Sequence, residues 1–446
     1  MNELVMTTAV ADPAEPDGAP RLAVLDILRG IAILGILFMN INDMGGPMMA
    51  SDPRPLGWTG ADQAAWWLRE VLANGTARCL LEMLFGVGMV ILTDRAAIRM
   101  GEARVLRGYA FRNLVLFGFG LVHVFVLLWP GEILHTYGLA ALVAMLFRRL
   151  KPRTLLSIGL LLATVQLVGA GIGLTLTARQ YSDGVALHAR QAASRPLTEP
   201  ERKRLRAYDK RIAAHAKDRA DDQREVDHED QARAGTAASW AGAAWHDIIY
   251  FERTGVEIGA IWEAAGTMLI GAALFRWGII QGRRSRRFYV VATIVAYAIG
   301  LSLRAGDAWA TTRFDHWPYL IDATGEYARL ATTLGHLSLV NLLLTTTAGV
   351  RLLRPLIAAG RTALTIYVAQ TLICLWVIYP PWGLRLYHQQ GWASLMLTAA
   401  AIDAALLVGA NAWVRRFDIA PVEWAWRSIL AGRRLAWRRG ARALPA

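Results

Sequence analysis

The chain has 446 residues, of which 55% are hydrophobic and 19% are charged. Average soluble proteins carry about 25% charged residues, and here the charge is gathered into short arginine clusters between apolar stretches. This pattern is typical of a polytopic membrane protein. It excludes a disordered chain, a coiled coil and a secreted disulfide scaffold. The net charge of +13 follows from arginines that flank membrane helices, so no nucleic-acid partner is expected.

The beginning of the chain predicts no cleaved signal. Residues 1–20 are rich in Pro, Ala and Asp, and they have neither a basic start nor an apolar core. They predict a short disordered cytoplasmic lead. The two cysteines, Cys79 and Cys374, lie in apolar runs and match no metal or redox motif, so no metal site is expected.

Ten apolar segments follow, several of them near the lower limit of about 17 residues for a span. The segments predict an all-α polytopic helix bundle of about ten spans, with nine or eleven left open. A membrane half of five spans (21–178), a long polar loop (179–255), a second half of five spans (256–432) and a basic cytoplasmic tail (433–446) make up the chain. The segments are 24–42, 76–94, 108–129, 132–148, 154–177, 256–280, 288–305, 326–349, 362–380 and 392–414.

The arginine clusters predict the orientation. They follow the second, fourth, sixth, eighth and tenth segments, whereas the odd connections are poorer in basic residues. Basic connections face the cytoplasm, so both termini are predicted to be cytoplasmic. The clusters include Arg95, Arg99, Arg104, Arg107, Arg148, Arg149, Arg283, Arg284, Arg286, Arg287, Arg351, Arg354, Arg415 and Arg416.

The long odd connection is predicted to lie outside the membrane. Its charged stretch, 195–235, has helical character, and Thr198 with Glu201 three positions later forms a capping-box pattern. The stretch is interpreted either as a lid or glycan-facing element or as a solvated surface helix. The aromatic segment 240–251 predicts a helix that lies at the membrane interface.

Ionisable residues inside spans are functional candidates, because each costs about 2.5–3.5 kcal/mol near the helix centre. Asp26 and Arg29 lie three residues apart on one face of the first segment, and an ion pair between them is the structural alternative to a binding role. The other polar candidates are Asn40, Asn42, Asp43, Glu82, Arg112, His123, Glu132, His135, His336, Asn341, Arg361, Tyr367 and Gln370.

The spacing within segments predicts depth. His123 follows Arg112 by eleven residues, which places it about 16 Å deeper and near the midplane. His336 lies about 20 Å from the cytoplasmic end of its segment by the same rise, so the two histidines are predicted to share a level. Each could act as a base near neutral pH, or each could only hydrogen-bond a neighbouring helix. Arg29, Arg112 and Arg361 could bind phosphates or reach lipid headgroups.

Several stretches identify a family. RLAVLDILRGIAILGILFMNI, LLEMLFGVGMVIL, GRTALTIYVAQTLI and APVEWAWRSIL resemble the YeiB-like family, bacterial membrane proteins catalogued as domain of unknown function 418. The usual Gly-Asp-Ile-Leu stands here as Gly131–Leu134 with Glu132 in place of Asp, and the usual Gly-Pro is Ala420–Pro421. The resemblance covers about 21–432 and implies the bacterial cytoplasmic membrane.

That family is distantly similar to transmembrane acyltransferases, including heparan-α-glucosaminide N-acetyltransferase and the family-3 sugar O-acyltransferases. The similarity comprises an Asp-x-x-Arg-Gly first span, here Asp26–Gly30, and an Arg-(ten residues)-His spacing, here Arg112 and His123. It implies acyl transfer from cytoplasmic acyl-CoA, a co-substrate and not a tightly bound cofactor, to an extracytoplasmic glycan or lipid-linked acceptor. The alternative is a transporter, flippase or structural membrane protein.

The acyltransferase interpretation assigns a role to each candidate. The catalytic residues would be His123, Glu132 and His336. The residues that bind acyl-CoA or substrate would be Asp26, Arg29, Arg112, Arg361 and Gln370.

Overall fold

The structure is a computed structural model that describes residues 23–48, 50, 52–315 and 317–437. The predicted lead, 1–20, and the end of the predicted tail, 438–446, lie outside those residues. Sixteen α-helices make up the regular structure of the described part, where no strand occurs. The all-α prediction is therefore confirmed.

The helices are joined mostly by short connections. The first eight are α1 (Ala23–Gly45), α2 (Gly60–Leu68), α3 (Thr76–Met100), α4 (Glu102–Phe125), α5 (Leu134–Met145), α6 (Pro152–Ala192), α7 (Glu199–Ala234) and α8 (Ala237–Thr254). The last eight are α9 (Val256–Arg276), α10 (Arg286–Thr311), α11 (Gly325–Leu343), α12 (Thr347–Leu353), α13 (Leu356–Arg361), α14 (Ala363–Ile373), α15 (Trp392–Arg416) and α16 (Pro421–Ala431). Short 3₁₀ turns at Arg54–Leu56 and Leu320–Thr324 and π-helical turns at Arg69–Ala73 and Cys374–Ile378 complete the regular structure of these residues.

Seven helices of the described part are long and apolar enough to cross a membrane, and an eighth is added if α11 and α12, bent by 118°, form one span. The seven are α1, α2–α3 (60–94), α4, α6, α9, α10 and α15. Two shorter apolar helices, α5 and α14 with its π-helical turn, coincide with the predicted fourth and ninth segments. The polytopic bundle is confirmed, and the count of ten spans stays a prediction.

The even connections gather at one end of the bundle. Arg276 donates hydrogen bonds to the Asp94 carboxylate at 3.1 Å and to the carbonyl oxygen of Arg148 at 2.7 Å. Asn341 donates to the carbonyl oxygen of Ile280 at 3.2 Å. These bonds join the connections after α3, α5, α9 and α11, so we call this end the basic end. The opposite end, which carries the odd connections, is called the loop end.

The long polar connection folds as a helical hairpin and a third helix. α6 continues to Ala192, well beyond its apolar part, and α7 returns along it with His188 bonded to Asp209 at 2.6 Å. The capping box at Thr198 and Glu201 is present: Thr198 donates its backbone N–H and its hydroxyl to the Glu201 carboxylate at 2.8 and 2.9 Å. The predicted helices at 195–235 and 240–251 are both confirmed as helices.

The first span is held close to the short helix α13. A Cβ at Gly30 would lie 2.3 Å from the carbonyl oxygen of Leu356, and one at Gly360 would lie 1.9 Å from that of Asp26. Only glycine permits this approach of two backbones, as is common at helix contacts in membranes. The contact places Asp26 and Arg29 beside Arg361.

Candidate functional site

His123 lies in the last turn of α4 and is 2% exposed. The helix ends at Phe125 because Leu128 adopts a left-handed φ of 58° and Pro130 follows. The sequence had extended this segment to 129. His123 therefore lies towards the loop end of α4, and its depth in the bilayer stays a prediction. Its distance of about 16 Å along the helix from Arg112 is unchanged.

Glu132 caps the next helix. Its carboxylate accepts hydrogen bonds from the backbone N–H groups of Leu134 at 2.6 Å and His135 at 2.9 Å, groups that the first turn of a helix leaves without a partner. Gly120 of α4 permits the approach, since a Cβ there would lie 2.7 Å from the Glu132 carboxylate and 2.3 Å from the backbone nitrogen of His135. These two hydrogen bonds fix the side chain of Glu132 next to His123.

The His123 ring joins a carboxylate to a hydroxyl. Its Nδ1 lies 3.4 Å from Oε1 of Glu132, and its Nε2 lies 2.9 Å from Oγ1 of Thr371. An ionised carboxylate only accepts hydrogen bonds, so Nδ1 is the donor to Glu132; in the neutral ring, Nε2 then carries the lone pair that faces the hydroxyl. This hydroxyl–imidazole–carboxylate arrangement is the one that general-base and nucleophilic catalysis use.

Further groups extend the arrangement towards the surface. The His135 ring lies between Oε2 of Glu132 at 2.8 Å and Oε1 of Glu257 at 3.1 Å, and the Thr136 hydroxyl donates to Glu257 at 2.5 Å. The Glu257 side chain is 28% exposed. A continuous line of polar contacts therefore runs from buried Thr371 to the loop end.

One face of α14 closes the other side of the ring. Tyr367, Gln370 and Thr371 lie at helical spacing on that face, and the Tyr367 ring meets the His123 ring edge-on at 4.8 Å between centroids. Gln370 turns away, because its amide donates to the carbonyl oxygen of Ile33 at 3.2 Å and to the Asp403 carboxylate at 2.8 Å. Gln370, which was predicted to bind substrate, thus lies next to the site and links α14 to α1 and α15.

The predicted phosphate-binding arginines lie on the basic-end side of His123, with Arg112 about 16 Å before it along α4. Arg29 donates to the Asp26 carboxylate at 3.0 Å, which is the ion pair that the sequence had left as an alternative, and its side chain is 38% exposed. It also lies 3.5 Å from the carbonyl oxygen of Gly360, next to Arg361. Arg112 lies 4.0 Å from the centroid of the Trp426 ring on α16. Arg29 thus lies beside α13, and Arg112 lies beside α16.

α16 connects this basic group to α14. The Glu423 carboxylate accepts from the backbone N–H groups of Leu364 at 2.7 Å and Thr365 at 3.2 Å. It therefore caps the helix whose far part carries Thr371. Through Glu423 and Trp426, α16 thus fixes the position of α14 relative to α4.

The structure does not bring His336 to His123. Its Nδ1 lies 2.8 Å from the Tyr297 hydroxyl on α10, and its Nε2 lies 2.9 Å from the carbonyl oxygen of Leu72. Equal depth in two helices does not imply proximity, because α11 packs on α10 and α3 whereas α4 packs on α5 and α3. The contacts of His336 therefore do not join it to the predicted catalytic residues His123 and Glu132, and they hold neighbouring elements together.

A second buried polar cluster lies among α3, α9 and α11. Arg329 contacts Glu82 at 3.0 Å, Glu263 at 2.9 Å and Glu326 at 2.8 Å, and Arg78 contacts Glu263 at 2.5 Å. Sequence reasoning named only Glu82 of these. The two guanidinium groups lie at short range from the three carboxylates, so the cluster is an ion-pair network.

The end of α7 and all of α8 cover the loop end; we call residues 226–251 the cover. Arg233 donates to Glu229 and to Asp247, both at 2.8 Å, and Glu229 also accepts from the backbone N–H of Met48 at 3.0 Å. His388 contacts Asp230 at 2.9 Å. The cover reaches the candidate site through Trp245, whose ring lies 5.4 Å from that of Phe125.

Two groups at the cover have shifted pKa values. Burial, with Glu229 nearby, raises the pKa of Asp247 to about 7, because one guanidinium serves two buried carboxylates. The hydrogen bond to Asp230 raises the pKa of His388 above its ordinary value. Asp247 therefore titrates near neutral pH, and His388 keeps its proton to a higher pH than an ordinary histidine.

Sequence reasoning missed Thr371 and Glu257. Thr371 follows Tyr367 by four residues, so the spacing could have placed it on the same face. Glu257 gave no such signal, because its partner His135 is 122 positions away. In the described part of the chain, no group of three or more His, Cys, Asp or Glu side chains is arranged to hold a metal ion.

Comparison with known proteins identifies the family of the chain. A family model described as "Protein of unknown function (DUF418)" matches residues 274–433. The uncharacterised protein YeiB of Escherichia coli strain K12 is 30% identical over 421 residues, which cover 92% of this chain and 96% of that protein. The chain belongs to the YeiB-like DUF418 family.

Other relatives of this DUF418 chain are also uncharacterised. The protein YxaH of Bacillus subtilis strain 168 is 29% identical over 92% of this chain and 94% of its own length. An uncharacterised 39.9 kDa protein in the amylase 3′ region of Bacillus acidopullulyticus is 31% identical over 35% of this chain and 42% of its own length. No solved structure matches the chain significantly. The relatives establish a membrane protein family and name no activity.

Proposed function

We propose that the protein is a membrane-embedded acyltransferase that transfers an acyl group from acyl-CoA to a hydroxyl or amine of a glycan or lipid-linked acceptor. The observation that carries the proposal is the buried line of Thr371, His123 and Glu132, with contacts of 2.9 and 3.4 Å. Such a line places a correctly oriented base beside a hydroxyl inside an apolar bundle.

The reaction follows from the orientation of the ring. His123 Nε2 would take the proton from the acceptor hydroxyl or amine as that group attacks the thioester carbonyl. The carbon–sulfur bond breaks, and the imidazolium returns the proton to the CoA sulfur. Glu132 would hold the ring in the reactive tautomer and stabilise the imidazolium. In the alternative first step, Thr371 would give its proton to His123 and attack the thioester, CoA would leave as the thiol with that proton, and the acceptor would then displace the threonine oxygen.

Acyl-CoA would enter at the basic end as a co-substrate and not as a tightly bound cofactor. Guanidinium groups bind phosphate through two parallel hydrogen bonds, and Arg29, Arg112 and Arg361 would supply them on the basic-end side of His123. The thioester arm would extend along α4 over the distance of about 16 Å between Arg112 and His123. The acceptor would approach from the loop end, beneath the cover.

The proposal requires one orientation in the bacterial cytoplasmic membrane. The basic end, with both termini, would face the cytoplasm by the positive-inside rule, and α7 would face outward. A tag inserted after Pro200 should be reached by an impermeant reagent in intact cells, and a tag after Ala446 should be reached only after lysis. The opposite pattern would exclude cytoplasmic acyl-CoA as the donor.

The decisive experiment supplies purified protein in liposomes with radiolabelled acetyl-CoA and follows release of CoA and label on protein, lipid or added glycan. Wild type should release CoA, and His123→Ala should release about 10²–10⁴-fold less. His336→Ala is the matched control, because this partly buried histidine contacts Tyr297 and Leu72, away from the site, and should keep wild-type turnover. If wild type and both variants are equally inactive with acetyl and longer acyl donors, a transport or structural role replaces the proposal.

A further inference from the structure

A groove lies on the outer face of α6, apart from the candidate site. It has a volume of about 390 Å³, within the range of about 300–1,000 Å³ of small-ligand sites. The apolar residues Val168, Ile172 and Leu176 line it along α6, and Leu320 of the 3₁₀ turn forms its other wall. Each of these four side chains is more than half exposed, so the groove faces the lipid.

The groove ends at the depth of lipid headgroups. Arg179 lines its outer end and follows Pro152, the first residue of α6, by 27 residues, or about 40 Å along the helix. A bilayer with its headgroups is about 40–45 Å thick. Tyr181 and Trp317 pack edge-on nearby, 5.9 Å apart, as expected of aromatic residues at a membrane interface.

Arg179 has a charge that the protein does not neutralise. Within the part of the chain that the structure describes, no hydrogen bond, ion pair or ring contact joins Arg179 to another residue. Its neighbour Asp183 contacts Arg204 of α7 instead, at 3.8 Å. A cation above an apolar groove matches an amphiphile that has one anionic headgroup and a hydrocarbon chain.

We infer that this groove binds one anionic phospholipid, with its phosphate on Arg179 and one acyl chain along Val168, Ile172 and Leu176. The guanidinium supplies paired hydrogen bonds to phosphate oxygens, and the exposed apolar wall is covered by the chain. The inference does not depend on the proposed acyl transfer, because α6 packs on α7 and α9 and contributes no residue to the His123 site.

Native mass spectrometry of the protein from vesicles of phosphatidylglycerol and phosphatidylcholine tests the headgroup. Wild type should retain one phosphatidylglycerol in preference to phosphatidylcholine. Arg179→Gln should lower that retention about tenfold or more. Arg153→Gln is the matched control, since Arg153 lies on the same helix at the basic end, outside the groove, and should retain the lipid.

A second pair of variants tests the shape. At Gly171, which lines the groove, and at Gly169, which does not, an added Cβ meets no atom within 4 Å. Gly171→Phe should fill the groove and release the lipid, whereas Gly169→Phe should keep it, and both should fold. The inference is overturned if the two lipids are retained equally, if Arg153→Gln matches Arg179→Gln, or if Gly171→Phe has no effect. Any one of those results would show that the retained lipid is general annular lipid only.

Discussion

Two buried polar clusters lie in the same bundle, and their chemistry differs. The Arg329 cluster contains two guanidinium groups and three carboxylates in mutual contact, and it joins α3, α9 and α11. The His123 cluster contains imidazoles, carboxylates and hydroxyls, and it joins α4, α5, α9 and α14. Both lie near the loop end, where these helices begin or end.

The difference separates a structural role from a chemical one. An arginine stays protonated at any physiological pH, so the Arg329 cluster can only hold charges in place. An imidazole changes protonation near neutral pH and can pass a proton on. Ionisable groups within membrane helices are therefore not all equal candidates. A ring that faces a hydroxyl on one side and a carboxylate on the other is the stronger indication of chemistry.

The largest effect is expected from substitution of Glu132 in the His123 cluster. Glu132→Gln keeps the volume of the side chain but offers His123 an amide that no longer selects the reactive tautomer. We expect turnover to fall about 10²–10⁴-fold, the range for loss of general-base catalysis. Single-turnover kinetics with labelled acyl-CoA measure this change. Unchanged turnover, together with a normal melting temperature, would show that His123 needs no carboxylate and would weaken the catalytic interpretation.

Removing the central cation of the other cluster should affect stability instead. Arg329→Met leaves three carboxylates around the single guanidinium of Arg78. Breaking a buried ion pair in this way costs about 3–5 kcal/mol, so the melting temperature in detergent should fall sharply. Arg224→Met, which breaks only the exposed pair with Asp221, should cost about 0–1 kcal/mol. Equal losses in the two variants would contradict the structural role of the Arg329 cluster.

Sequence reasoning predicted the helices more completely than the site. Apolar length and arginine clusters located every long span, because burial in lipid imposes both. They also located His123 and Glu132, since ionisable residues in spans are rare. Depth along a helix did not show which helices are neighbours, so it could not show that His336 contacts α10 and not the residues around His123. Helix ends depend on local backbone geometry such as that of Leu128, which places His123 in the last turn of α4.

The missing members of each cluster come from distant parts of the chain. Glu257 reaches His135 and Arg329 reaches Glu82 only through packing, and a single sequence contains no signal for such pairs. Thr371 is different, because its position one turn after Tyr367 could have been used. Hydroxyl residues that share a face with a candidate aromatic or amide group therefore merit the same attention as charges.

A smaller effect is expected for Arg112, which would bind the acyl donor and take no part in the chemical step. Arg112→Ala should raise the KM for acyl-CoA about 10- to 150-fold, since a hydrogen bond to a charged group is worth about 1.5–3 kcal/mol. The kcat should change little, because the lost interaction is the same in ground and transition states. Arg112→Lys should recover only part of the affinity, because lysine lacks the paired donors. A fall in kcat with constant KM would instead place Arg112 in the chemical step.

The smallest predicted effect concerns the cover and its pH dependence. Burial raises the pKa of Asp247 to about 7, from an ordinary value of about 3.9, and the hydrogen bond to Asp230 raises that of His388. In both cases the closed cover binds protons more tightly than an open one. The stabilisation from Asp247 is thus complete below about pH 4 and is lost as the pH rises towards about 7. That from His388 is complete below about pH 6.5 and is lost above it.

Labelling of a cysteine on the buried face of the cover measures this opening. Ala244 is fully buried in α8, so Ala244→Cys should react with an impermeant maleimide only when the cover opens. Between pH 6 and pH 8 we expect roughly a two- to tenfold higher rate after correction for thiol ionisation, since one pKa unit corresponds to a tenfold change and solvent screens the half-exposed His388. Asp247→Asn in the same background should flatten this dependence, because the amide does not titrate. His215→Gln, an exposed histidine on α7, should leave it unchanged. A corrected rate that stays constant with pH in all three proteins would show that neither group controls the cover.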